Sequence, residues 1–251
     1  MASNQEVNNA RFDQEAAQWD SNKKHAEGVN KAFDAIKRYV PAFSDGTSKN
    51  LDVLEIGCGT GLLSFQLSSY VRSIVGVDTS DGMIDAFNAK TASLPDPANA
   101  NLAAVNVLVQ SADDVHLQAA AAALAQRRGE SGKDVPYRFD LVVSHLTLHH
   151  IPSLGELLAT LKDCLRPGGM LALTDYEDSG PEAIEFHAES KRPGVERHGI
   201  KKSEIEDIID GVGFNEVVVE RAFELRKEVE AKDGGSKREM DFPFLICLGK
   251  K

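Results

Sequence analysis

A glycine-rich turn follows an apolar, strand-like run in the stretch LDVLEIGCGTGLLS. Its three glycines occupy alternate positions: Gly57, Gly59 and Gly61. Glycines at the end of a strand let a ligand approach the backbone closely, as in dinucleotide-binding turns of spacing G-x-G-x-x-G. Leu62 stands where that spacing requires its last glycine, and the carboxylate of Glu55 would oppose a pyrophosphate. The turn therefore favours a ligand that has an ammonium group and no phosphates.

Histidines form a second group of residues that could do chemistry. The stretch SHLTLHH contains His145, His149 and His150, and a later polar segment adds His187 and His198. Imidazoles bind metals and accept protons near neutral pH. The spacing H-x-x-x-H-H contains no H-E-x-x-H motif and has no clustered cysteine partner, so we expect no metal site.

The elements that must position these residues alternate between strand and helix. Apolar strands are predicted at LDVLEI, SIVGVD, AAVNVLVQ, FDLVVS and MLALTDY, with helices between them. This alternation predicts an α/β fold with a doubly wound, mostly parallel sheet. Two later β-rich runs, NEVVVERAFEL and FPFLICLG, are joined by the charged connector 228–241 and are predicted to pair as an antiparallel hairpin at the sheet edge. Residues 1–48 are predicted to form helices, with Val29, Phe33 and Ile36 on one apolar face.

Composition narrows the classes of partner. The 251 residues, 42 % of them hydrophobic, suit one large α/β domain. The formal net charge of −11 disfavours nucleic acid as a partner. Because the three cysteines form no C-x-x-C and we recognise no leader peptide or apolar span, we expect a cytoplasmic protein, with the nucleus as an alternative, and no membrane association.

VLEIGCGTGLLS resembles the first motif of the class I S-adenosylmethionine-dependent methyltransferases. GVDTSDGMI, VVSHLTLHHI, LRPGGMLALTDY and GIKKSEIEDIIDGVGFNEVVV resemble later motifs of the small-molecule (methyltransferase domain 11/25-like) branch, in the same order. The resemblance covers about residues 51–249. It implies a Rossmann-like sheet of seven strands in residues 49–251, preceded by an N-terminal helical cap in 1–48. Residues 177–200 are then a candidate lid on the substrate side.

The resemblance also implies the cofactor, S-adenosylmethionine, and its product, S-adenosylhomocysteine. Asp78 matches the acid that binds the ribose, and Met83 matches the apolar residue that packs against the adenine. The cofactor site is expected to include Trp19, Glu55, Gly57, Cys58, Gly59, Gly61, Asp78, Thr79, Met83, Ser111, Ala112, Asp113 and Ser144.

The sequence differs from the family's motif in the segment expected at the adenine, and the role of Trp19 has two interpretations. Where the family commonly has an acid followed by alanine, this chain has Ser111-Ala112-Asp113. We therefore expect Ser111 and Ala112 at the adenine edge, with Asp113 or Asp114 supplying the charge. Trp19 is expected either to close over the cofactor or to anchor the N-terminal helices.

The resemblance leaves the methyl acceptor to be judged from motifs that are missing. The chain has no N/D-P-P-Y/F after the fourth strand, which amino-methylating DNA enzymes have. It also lacks the metal-binding acid of the catechol branch and the paired-glutamate hairpin of arginine methyltransferases. We therefore expect a small organic acceptor and in-line displacement. There are three alternatives: a protein-directed methyltransferase, a methyltransferase-like subunit that acts through a partner protein, and a nicotinamide-dependent oxidoreductase.

In the family, the stretch with His145 and His149 lines the methyl-transfer face. Either histidine is therefore a candidate general base or part of the pocket wall.

Overall fold

One sheet of seven strands runs through the computed structural model, which describes residues 3–130, 136–230 and 237–251. The strands are β1 (Asp52–Ile56), β2 (Ser73–Asp78), β3 (Leu102–Asn106), β4 (Phe139–His145), β5 (Leu165–Tyr176), β6 (Asn215–Val229) and β7 (Arg238–Lys250). Their order is β3-β2-β1-β4-β5-β7-β6. The first five are parallel, and β7 pairs antiparallel with both β5 and β6. The predicted, mostly parallel sheet with an antiparallel C-terminal hairpin is confirmed.

Helices connect the strands and also precede them. They are α1 (Asn4–Trp19), α2 (Lys23–Tyr39), α3 (Leu62–Ser68), α4 (Asp81–Ala92), α5 (Val115–Arg127), α6 (Leu154–Cys164) and α7 (Lys202–Gly211). Short 3-10 turns lie at Pro41–Phe43, Ser48–Asn50, Pro97–Asn99, Leu148–His150, Pro181–Phe186 and Glu189–Lys191. No helix within the described residues is both long and apolar enough to cross a membrane.

Two apolar cores cover the two faces of the sheet. Leu54 of β1 belongs to a core that includes Leu158 of α6. Its neighbour Val53 belongs to a second core, with Leu67 of α3 and Ile36 of α2. Successive strand residues point to opposite faces, so a strand that is buried on both faces must be apolar at consecutive positions. This explains the uninterrupted apolar runs that the sequence shows.

Several strands differ in their bounds from the predicted ones. β5 begins at Leu165, five residues before Met170, the first residue of the predicted run MLALTDY. β3 ends at Asn106 and does not reach Gln110, because β2, its one neighbouring strand among the described residues, ends at Asp78 opposite Asn106. The hairpin strands are longer than predicted, since pairing continues to Val229 opposite Arg238. The middle of the predicted connector, 231–236, lies outside the described residues.

The sheet order creates a crevice between β1 and β4. The chain turns to opposite sides of the sheet after these two strands, and ligands of open α/β sheets bind at the carboxyl ends of strands at such a point. The glycine turn after β1 and the histidine stretch after β4 therefore lie beside each other. The division of the chain at residue 48 stays a prediction.

The contact between α1 and α4 can be tested at Gly82. A Cβ atom at this position would lie 2.9 Å from the Cα and the carbonyl oxygen of Asp13. We expect Gly82→Ala to push α1 away from α4, to speed proteolytic cleavage within residues 3–22 and to lower the free energy of unfolding by about 1–3 kcal/mol. Gly155→Ala is the control, because its Cβ would meet only Ile208, at 3.9 Å. Equal cleavage rates in both variants would contradict this packing.

Candidate active site

The glycine turn has a backbone that side chains would not tolerate. Gly57, Gly59 and Gly61 all have positive φ, at 68°, 52° and 88°. A Cβ at Gly57 would overlap the side chain of Thr147, and one at Gly61 would lie 2.5 Å from the ring of Phe87. The positive φ angles therefore favour glycine at all three positions, and at Gly57 and Gly61 a larger side chain would also lack space.

Asp78 joins this turn to the end of β2. Its Oδ2 accepts a hydrogen bond from the amide of Gly59 at 2.9 Å, and its Oδ1 accepts one from the amide of Ser80 at 3.0 Å. Burial raises the pKa of this carboxyl, and the backbone hydrogen bonds act in the opposite direction. The carboxylate therefore lies where the first two strands end, as the ribose role requires.

Glu55 is a buried acid beneath the turn. Its side chain is 2 % exposed and accepts a hydrogen bond from the hydroxyl of Ser64. Burial raises its pKa to about 8, and the nearby charge of Asp78 acts in the same direction. The carboxyl is therefore largely protonated at pH 7, and a cationic group placed beside it would favour its ionised form.

A cavity of about 710 Å³ extends from the glycine turn to the histidines after β4. Ten of the residues expected at the site line it: Trp19, Glu55, Gly57, Cys58, Gly59, Asp78, Thr79, Met83, His145 and His149. The structure therefore brings together most of the expected cofactor positions and both candidate bases.

The other five expected residues are not in the cavity lining: Gly61, Ser111, Ala112, Asp113 and Ser144. Ser144 is buried and donates a hydrogen bond to the carbonyl of Ile56, which ties β4 to β1. Asp113 pairs with Arg138 at 2.7 Å. The residues after β3 that do line the cavity are Val107, Leu108 and Val109. The adenine-edge roles of Ser111, Ala112 and Asp113 stay predictions.

Helix α1 is tied to the cofactor loops by polar contacts that the motifs did not indicate. Gln5 donates to Thr79 Oγ1 at 2.8 Å. Asp13 accepts hydrogen bonds from Ser80 Oγ at 2.6 Å and from the amide of Gly82 at 2.9 Å. A signal was present in the sequence, because Gln5, Asn9 and Asp13 are spaced by four and share one helix face.

Trp19 and Asp20 continue this contact at the end of α1. The ring of Trp19 lies 3.9 Å from that of His25, and both line the cavity. Asp20 accepts a hydrogen bond from Thr60 Oγ1 and pairs with Lys90 at 2.7 Å. The N-terminal helices therefore form one wall of the cavity, although the capping role of Trp19 over a cofactor stays a prediction.

His145 lies at the end of β4. Its Nδ1 is 2.9 Å from Thr174 Oγ1, and its Nε2 is buried with no hydrogen-bond partner in the described residues. Its pKa is lowered to about 4, chiefly by burial; the charge of Asp175 opposes this shift, and the nearby His149 and His25 add to it. The ring is therefore neutral at pH 7, which is the form that accepts a proton.

His149 is held by a buried carboxylate that the sequence analysis did not single out. Its Nδ1 lies 2.9 Å from Asp175, whose side chain is 1 % exposed and also accepts a hydrogen bond from the backbone amide of His149. Because a carboxylate only accepts, Nδ1 carries a proton, and in the neutral ring the lone pair is then on Nε2. The signal was the acid within the apolar strand MLALTDY, since a buried charge needs a partner.

Two further histidines lie against His149. Ring centroids are 4.1 Å apart for His149 and His150, and 5.1 Å apart for His149 and His187. Burial lowers the pKa of both neighbours. His187 comes from the segment before α7, so its proximity could not be read from spacing in the sequence.

The family model and a curated relative that match this chain are both described as methyltransferases. The family model described as a methyltransferase domain matches residues 23–218. A Schizosaccharomyces pombe protein named uncharacterized methyltransferase C1347.09 is 31 % identical over 154 residues, which cover 59 % of this chain and 48 % of the relative. The chain thus spans about half the length of this curated relative.

Two solved structures show the same fold at low sequence identity. One is a chain in the complex of the Haloferax volcanii Trm112 methyltransferase activator with a methyltransferase; its TM-score is 0.59 at 15 % identity, covering 95 % of this chain and 96 % of that one. The other is phosphoethanolamine N-methyltransferase 2 of Haemonchus contortus, in complex with phosphomonomethylethanolamine and S-adenosylhomocysteine. Its TM-score is 0.58 at 16 % identity, covering 88 % of this chain and 52 % of that one.

The role of Asp78 can be tested by calorimetric titration with S-adenosylhomocysteine. We expect Asp78→Ala to weaken binding by about 1–3 kcal/mol, since a charge-assisted hydrogen-bond acceptor at the carboxyl end of β2 is lost. Asp85→Ala, which removes an exposed carboxylate from α4, is the matched control and should bind like the unmodified protein. Equal dissociation constants for all three proteins would contradict the ribose role.

Because of Glu55, S-adenosylhomocysteine binding in the same titration should release protons. Its carboxyl is largely protonated at pH 7 in the empty site, and the ligand's ammonium group should ionise it, releasing up to about one proton per molecule bound. The heat of binding at pH 7 should therefore differ between phosphate and Tris buffers, which have different ionisation enthalpies. Glu55→Gln should remove that difference. An enthalpy independent of buffer in the unmodified protein would show that Glu55 does not meet the ammonium group.

Proposed function

Because the chain belongs to the family of methyltransferase domains, we propose that its methyl acceptor is a small organic molecule bound in the histidine-lined part of the cavity. The activity of this family, S-adenosylmethionine-dependent methyl transfer, is proposed for the protein together with the class of acceptor and the roles of individual residues.

The observation that carries this proposal is that one cavity runs from the glycine turn to the histidines and is covered by two segments of this chain. Helix α1 and the segment before α7 meet across it: Asn8 donates to the carbonyl of Gly194 at 2.8 Å, and Glu15 pairs with Lys191 at 2.9 Å. A volume of about 710 Å³ has room for small ligands. The contacts between α1 and this segment support an enclosed acceptor, and they support the expectation that residues 177–200 act as a lid.

The residues present fit the cofactor. The glycine turn is a cradle that Cβ atoms would fill, and two carboxyls, Glu55 and Asp78, lie beside it for an ammonium group and a ribose. When bound, S-adenosylmethionine supplies an electrophilic methyl group on a sulfonium. The protein's part is to hold the acceptor in line with that group and to exclude water.

His145 is the general base in this proposal. Its ring is neutral and fixed by Thr174, and its unpaired Nε2 can accept the proton that the acceptor loses. His149, held by Asp175, forms the neighbouring wall of the same chamber. Lys227 adds a positive charge to the cavity: its Nζ lies 3.8 Å from the Phe186 ring centre, and burial lowers its pKa to about 8.

The alternative is a protein acceptor or a subunit that works through a partner. A long exposed apolar surface would favour it. Four large hydrophobic side chains are exposed in the described ranges: Tyr70, Leu108, Val115 and Val218. This small number favours the small acceptor. The three cysteines are free and buried, which supports a reducing compartment such as the cytoplasm.

The role of His145 is tested by a screen of phenols, thiols, amines and carboxylic acids for methylation. With an acceptor that is a hydroxyl compound, His145→Gln should lower kcat by about 10²–10⁴-fold, because the general base is lost. Its affinity for S-adenosylhomocysteine should stay unchanged. His198→Gln is the control, since His198 does not line the cavity. Methylation of proteins in an extract with none of the small molecules methylated would contradict the proposed acceptor class.

A further inference from the structure

We propose that His149, His150 and His187 form a binding site for a divalent transition-metal ion, such as Zn²⁺ or Co²⁺, in the acceptor part of the cavity. The ion binding stands on the histidine geometry alone. Its use in methyl transfer rests on the function proposed above.

The three imidazoles already converge. Each offers one ring nitrogen, and these nitrogens all lie within 4.8 Å of one another. In a tetrahedral site with metal–nitrogen distances of about 2.0–2.1 Å, ligand nitrogens are about 3.4 Å apart. Small ring movements therefore suffice to close the site.

Two of the nitrogens have no hydrogen-bond partner. His149 Nε2 and His150 Nδ1 are both buried, and neither is paired within the described residues. An unsatisfied buried polar atom destabilises the folded protein, so a bound ligand or an ordered water is expected at these two atoms. A metal ion bound within the cluster would satisfy both atoms.

Asp175 supplies the outer support that metal-binding histidines usually have. It accepts from Nδ1 of His149 and from the backbone amides of His149 and Tyr176. A carboxylate on the far nitrogen fixes the tautomer and the orientation of the ring and makes the metal-facing nitrogen more basic. The one acid buried in β5 near this cluster is thus placed where a metal site requires it.

His187 is positioned by contacts of its own. Its neighbour Phe186 stacks on Tyr176 with ring centroids 4.1 Å apart, and Arg192 donates to the carbonyl of His187 at 3.2 Å. The hydroxyl of Tyr176 lies 3.4 Å from His187 Nδ1, which leaves Nε2 for the ion. The spacing of His149 and His150 alone predicted no metal, because the third ligand comes from a separate segment.

Three protein ligands leave one tetrahedral position open, as in catalytic zinc sites. An acceptor hydroxyl or thiol bound there would have its pKa lowered. In the resulting transfer, the acceptor's O–H or S–H proton passes to His145, the new O–CH₃ or S–CH₃ bond forms as the CH₃–sulfonium bond breaks, and the thioether product leaves. The ion undergoes no redox change. The proposal thus favours hydroxyl and thiol acceptors.

The test is a titration of the chelator-treated protein, residues 1–251, with Co²⁺ alone, in which binding is measured by the visible absorption of the ion. We expect one ion per chain, with a tetrahedral spectrum that Zn²⁺ displaces. His187→Ala should weaken binding at least 100-fold, and Asp175→Asn by about 10–100-fold. His198→Ala, which removes a histidine outside the cluster, should bind like the unmodified protein.

The S-adenosylhomocysteine affinity and methyl transfer of the same preparations separate the two proposals. If His187→Ala binds S-adenosylhomocysteine normally, its loss of Co²⁺ reflects a missing ligand and supports the site. No Co²⁺ spectrum in the unmodified protein, or an unaltered one in His187→Ala, would overturn the metal site and leave the proposed function standing. A tetrahedral spectrum without methylation of any small molecule would overturn the proposed function alone.

Discussion

The hydrogen bonds between the glycine turn and the end of β2 are the constraint on which the rest of the site depends. The amides of Gly57 and Cys58 donate to the carbonyl of Val77, and the amide of Gly59 donates to Asp78. These bonds hold the turn at the carboxyl end of β1, in a conformation that only glycine adopts without strain. The neighbouring loops and α1 are then attached to this fixed point through Thr79, Ser80 and Gly82.

Burial gives the two halves of the cavity different chemistry. At the turn, burial raises the pKa of Glu55 and Asp78, so the site gains from a ligand that brings a positive charge. Beyond β4, burial lowers the pKa of His145, His150 and His187, which favours neutral rings with nitrogen lone pairs available. One half therefore suits a cationic cofactor, and the other suits a proton or a metal ion.

The sequence predicted the fold and most of the cofactor half because both depend on local pattern. Alternating strands and helices indicated the sheet, and the glycine spacing with Asp78 indicated the turn. The histidine half could not be predicted in the same way. Asp175 and His187 reach His149 through the sheet register and the folding of a separate segment, and neither is encoded in the spacing around SHLTLHH. Ser111 lies outside the cavity lining that Val107 and Val109 form, and its role at the adenine edge stays a prediction.

The central claim is that one continuous cavity brings the cofactor's sulfur to the histidines, and a crystal structure of the complex with S-adenosylhomocysteine tests it most directly. We expect the ribose hydroxyls on Asp78, the amino group near Glu55 and the thioether sulfur facing the chamber that contains His145 and His149. A sulfur atom directed away from these histidines, or a ligand bound outside the glycine turn, would contradict the account.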